Sequence, residues 1–176
     1  MLFLPQAAGA YLLGCAPAAP LTRRVAGASP WTGALEVLAD ALKGYLAVTL
    51  LSPGISLGPA LVATAVVAGH QWPAFWSEPG RSAGTAVLVG ALTAITPLAA
   101  PLWAALWGLA FVITGYVQAS SLAATALILP AIGLSAGWPL ALFSLPPTGM
   151  VLSRLGPMWA SWRRGEEPKY LWRSGS

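Results

Sequence analysis

One cysteine, one histidine and five acidic residues are nearly all that 176 positions supply for disulfides, metals or proton transfer. Cys15 alone excludes an internal disulfide and a thiolate metal cage. His70 with five acids assembles neither a serine triad nor a zinc centre, so no metal site is expected. Charge is scarce too: charged residues make up 8% of the chain against 57% hydrophobic. A soluble domain of this length needs far more charge to cover its surface, which excludes that class. No basic patch is interleaved with a readable recognition element, so the net charge of +4 does not point to nucleic acid. Neither a repeat nor a low-complexity tract is evident.

What remains is hydrocarbon punctuated by 19 glycines and 16 prolines, a mixture that suits membrane helices. The expected fold is all-α, a polytopic membrane bundle surrounded by lipids. About 20 apolar residues of helix cross the hydrocarbon. On that scale the chain divides into spans at 3–21, 32–51 and 55–75, then two within 84–117 that turn at 96–101 beside Pro97 and Pro101. A short sixth at 122–134 and a seventh at 137–152 complete about seven. Residues 1–153 form the bundle and 154–176 an interfacial cytoplasmic tail, anchored by Trp and Arg. Leu12-Leu13-Gly14-Cys15 resembles a lipoprotein cleavage box, but Arg23 and Arg24 follow the apolar run instead of preceding it. A retained first span is expected there.

Seven alternating spans that start outside put Arg23, Arg24, Arg81, Arg154, Arg163, Arg164, Lys169 and Arg173 on one side. The opposite loops carry no charge. This is the positive-inside pattern, so the expected location is the cytoplasmic (inner) membrane, multi-pass, with the N-terminus outside and the C-terminus cytoplasmic.

Charges within spans need a reason. Glu36, Asp40 and Lys43 are spaced four and three apart and share one helical face. They line a polar cavity, or Asp40 and Lys43 simply neutralise each other. His70, at the cytoplasmic end of the third span, has an ordinary pKa suited to a general base, or is a plain hydrogen-bonded interfacial side chain. Gly80-Arg81-Ser82-Ala83-Gly84-Thr85 offers backbone amides, a guanidinium and a helix start, the parts of an anion site. Read blandly, it is a short loop with one topogenic arginine.

Four stretches, in order, resemble one family. They are Tyr11-Leu12-Leu13-Gly14-Cys15-Ala16-Pro17, Asp40-Ala41-Leu42-Lys43-Gly44, Gly69-His70-Gln71-Trp72-Pro73-Ala74-Phe75 and Gly165-Glu166-Glu167-Pro168-Lys169. The set is similar to the acyl-phosphate-dependent glycerol-3-phosphate acyltransferases, bacterial seven-helix membrane enzymes. The resemblance implies acyl transfer from acyl phosphate to glycerol 3-phosphate at the cytoplasmic face, for phospholipid synthesis, without a cofactor. It places His70, Asp40 and Lys43 at catalytic positions, and Gly80, Arg81, Ser82, Thr85 and Glu167 at substrate or phosphate positions. The chain also departs from the pattern. The family's first cytoplasmic motif is absent, Arg81 stands where the family has lysine, and Pro79 and Ser82 replace glycines. The competing expectation is an inactive, degenerate homologue that serves as a structural or accessory subunit of a larger membrane complex.

Overall fold

A computed structural model describes residues 3–27, 31–52, 57–75 and 83–166. All regular structure among them is helical, in two compact units, Met1–Pro97 and Leu98–Ser176.

The first unit holds α1 (Phe3–Cys15), α2 (Ala18–Ala26), α3 (Thr32–Leu51), α4 (Gly58–Gln71) and α5 (Thr85–Ile95). The expected continuous span at 3–21 is broken at Ala16-Pro17, because proline has no N–H to continue the helix and biases the residue before it away from helical geometry. Pro97 acts in the same way on α5, which ends at an extended Thr96 (φ −141°, ψ 120°). In α3 the usual pattern is inverted. Asp40 and Lys43 are buried, while Leu35, Leu38, Leu42, Leu46 and Leu50 are exposed.

Two crossings hold this unit, α1 on α4 and α3 on α5, and glycines make both. A Cβ added at Gly14 would run into the Val66 carbonyl oxygen, and one at Gly69 into that of Tyr11. Gly44 lies likewise against the carbonyl of Val87, and Gly90 against that of Ala41. Backbone meets backbone, as small residues allow between membrane helices. Val62, Val66, Val67, Val87, Leu88 and Leu92 fill the remaining core.

The second unit holds α6 (Ala99–Thr114), α7 (Val117–Ala136), α8 (Trp138–Phe143) and α9 (Leu145–Arg163). Gly115 stops α6 in the left-handed region at φ 73°. The sixth span is not the short 122–134 segment expected. Gln118, Ser120 and Ser121, which precede that expected segment, lie inside α7, where the Ser121 hydroxyl donates back to the Val117 carbonyl at 2.9 Å. The seventh span, expected at 137–152, is divided at Ser144 into α8 and α9, and α9 runs on through Arg154 to Arg163. Among the described residues only Val117–Ala136 is both long and apolar enough to cross a membrane by itself, with a mean hydropathy of 1.7.

A candidate active site between α1, α3 and α4

Within the first unit, three separate stretches of sequence meet at one ammonium group. Lys43 on α3 reaches the Asp40 carboxylate at 2.9 Å, one turn earlier on the same helix. Its Nζ also contacts the His70 Nδ1 at 3.2 Å and donates to the Ala16 carbonyl at 3.0 Å. One ammonium thus has three polar neighbours, an ion-paired carboxylate, a ring nitrogen and a main-chain carbonyl. His70 and Asp40 stand 3.8 Å apart, beyond hydrogen-bond range, so Lys43 is the link between them. Asp40 and Lys43 are each 8% exposed, which makes this a buried ion pair with a third member.

Local chain chemistry explains the assembly. The i, i+3 spacing on α3 stacks Asp40 beneath Lys43. The break before Pro17 leaves the Ala16 carbonyl available at the end of α1, where helices have unsatisfied acceptors. The Gly14 and Gly69 contacts draw α1 and α4 close enough for His70 to join them. Tyr11 adds a tie across the same crossing, its hydroxyl donating to the Trp72 carbonyl at 2.6 Å.

Beyond His70 the chain leads to the start of α5. Gly84 adopts a left-handed conformation (φ 81°) immediately before Thr85, the first residue of that helix. A Cβ on Gly84 would lie 3.1 Å from the His70 Cδ2, so the imidazole edge rests against this turn. Thr85 is half-buried at the helix N-terminus. Gly80, Arg81, Ser82 and Glu167 lie outside the described residues. Sequence reasoning missed two participants, the Ala16 carbonyl and Gln71. Pro17 was the signal for the first. The second, a buried amide, had none.

The comparisons agree with one another. A family model described as glycerol-3-phosphate acyltransferase matches residues 22–172. The glycerol-3-phosphate acyltransferase of Bordetella avium is 33% identical over 158 residues, covering 74% of this chain and 74% of that protein. Glycerol-3-phosphate acyltransferase 1 of Moorella thermoacetica is 43% identical over 79 residues, 44% of this chain and 40% of that one. Among solved structures, PlsY (YgiH), an integral membrane glycerol 3-phosphate acyltransferase crystallised in its glycerol 3-phosphate form, superposes with a TM-score of 0.82. It is 22% identical and the match covers 96% of this chain and 95% of that one, so the fold is shared throughout.

An all-helical chain with the fold of an integral membrane enzyme is the class that these observations define. More specifically, the chain belongs to the glycerol-3-phosphate acyltransferase family. None of these matches lends support to the accessory-subunit reading.

Proposed function

We propose that this chain is a multi-pass protein of the cytoplasmic membrane that transfers an acyl group from acyl phosphate to glycerol 3-phosphate. The observation that carries the reading is the meeting of Asp40, Lys43, His70 and the Ala16 carbonyl, drawn from three family-like stretches, at one buried point. The inverted α3 supports the membrane setting, since leucines exposed around buried charges suit lipid better than water.

In the proposed reaction the acceptor hydroxyl oxygen attacks the acyl carbonyl carbon. An ester C–O bond forms, the carbonyl carbon's bond to the phosphate oxygen breaks, and inorganic phosphate departs with the hydroxyl proton. Lys43 gives its N–H to the His70 Nδ1, which fixes the imidazole proton on Nε2. His70 in that state is a hydrogen-bond donor for oxygen charge that develops in the transition state. Asp40, 2.9 Å from the Lys43 Nζ, holds that ammonium in place beside the imidazole. Gly80, Arg81, Ser82 and Thr85 bind phosphate in this scheme, and the family resemblance assigns Glu167 to substrate as well.

The test is product formation by purified protein from acyl phosphate and labelled glycerol 3-phosphate. Wild type is expected to yield lysophosphatidic acid, and His70→Ala and Lys43→Met are expected to yield none. Well-folded wild type without turnover would sink the proposal.

A further inference from the structure

Gln71 follows His70 in sequence, ends α4 and is only 2% exposed. Its side-chain Nε2 donates to the Ala83 carbonyl at 3.0 Å, a bond that spans twelve residues between the end of α4 and the approach to α5. Gly84 comes next, and a Cβ there would lie 3.6 Å from the same Nε2 as well as 3.1 Å from the His70 Cδ2. One carboxamide therefore holds the turn that starts α5 against the imidazole edge. No side chain caps α5, whose first intrahelical bond runs from the Leu88 N–H to the Gly84 carbonyl at 2.9 Å. The direction in which the first amides of α5 point follows from where residues 83 and 84 are held.

We infer that Gln71 is a positioning residue, a clasp that fixes the N-terminus of α5 beside His70 so that its amides meet a substrate phosphate. A buried amide is a costly choice for such a place, and the hydrogen bond from its nitrogen to a main-chain carbonyl offsets part of its desolvation. Rotation or retreat of the 83–84 turn would carry the phosphate-facing amides away from the imidazole while the ion pair of Asp40 and Lys43 stayed as it is. The substrate part of this inference rests on the acyltransferase reading; the clasp itself does not.

Two measurements on Gln71→Met, which keeps the length and removes the donor, separate the two parts. Hydrogen exchange at the Leu88 amide, without any substrate, is expected to accelerate about tenfold as the first turn of α5 loosens. In turnover assays, KM for glycerol 3-phosphate or for acyl phosphate is expected to rise about tenfold with kcat within about threefold, the pattern of lost binding instead of lost chemistry. A purely structural defect would lower the active fraction and leave both KM values alone. Unchanged exchange at Leu88 overturns the clasp, and two unchanged KM values overturn its role in substrate positioning. If wild type itself fails to turn over, the acyltransferase reading falls and exchange alone decides the clasp. Gln71→Asn, too short by one carbon to reach Ala83, takes the same measurements if the methionine variant does not fold.

Discussion

The two compact units solve the same packing problem with different materials. In the first, the buried polar side chains include Asp40 and Lys43, and the helices touch through glycine at the carbonyls of Tyr11, Ala41, Val66 and Val87. In the second, the buried polar residues among those described carry hydroxyls, Ser120, Thr125, Ser144 and Thr148. Indoles complete that seam. Trp103 Nε1 donates to the Thr125 hydroxyl at 3.3 Å and Trp107 Nε1 to Ser121 at 3.1 Å, while Trp107 stacks on Phe111. Uncharged hydroxyl–indole bonds stabilise without a large desolvation cost. A buried ion pair is a poor stabiliser, because removing two charges from water offsets much of their attraction. Such a pair in one unit and none among the described buried residues of the other marks the first as the unit shaped by chemistry.

Substitutions can break that comparison. The largest effect is expected for Lys43→Met, which strands Asp40: about 3–5 kcal/mol lost to chemical denaturation, together with all turnover. The double variant Asp40→Asn with Lys43→Met should recover most of the stability and none of the activity. Recovered activity would mean that the pair is structural only. Next comes a pair of glycines. Gly90→Ala drives a methyl group into the Ala41 carbonyl and should cost about 3 kcal/mol or more in unfolding measurements. Gly108→Ala on α6 meets nothing within 4 Å and should stabilise by about 0.5–1 kcal/mol, since alanine is the better helix former. Equal effects at the two sites would erase the contrast between the units. The smallest loss is expected for Thr125→Val, about 1 kcal/mol from an orphaned indole N–H, with turnover within about twofold of wild type.

Much of this was legible in the sequence, and the failures have physical causes. Apolar length located α3, α4, α5 and α6 closely, because proline and glycine stand at or near their ends. It misjudged α7, because serines that look like a loop satisfy their hydroxyls within the helix and against Trp107. It joined α8 to α9 and stopped early, because Arg154 was taken as the end of hydrocarbon while the helical pattern continued to Arg163. At the site, helical spacing paired Asp40 with Lys43, His70 stood out as the lone histidine, and resemblance grouped the three. The Ala16 carbonyl and the bond from Gln71 to Ala83 involve main-chain atoms, which residue identity does not encode. The sequence reads His70 as a base or as a plain hydrogen-bonded side chain, and its Nδ1 does lie in hydrogen-bond contact with Lys43 at 3.2 Å.

The inverted α3 also bears on how the chain is made. Lys43 finds one partner, Ala16, 27 residues earlier in the chain and another, His70, 27 residues later. An aspartate or lysine near the middle of a lone membrane helix costs about 2.5–3.5 kcal/mol to insert. When α3 leaves the ribosome, the α1 carbonyl is already waiting and the α4 imidazole does not yet exist. On the membrane reading, α3 is then a helix on credit from its neighbours: it settles in hydrocarbon as part of a group, and the order of synthesis sets which half of its polar shell is ready first.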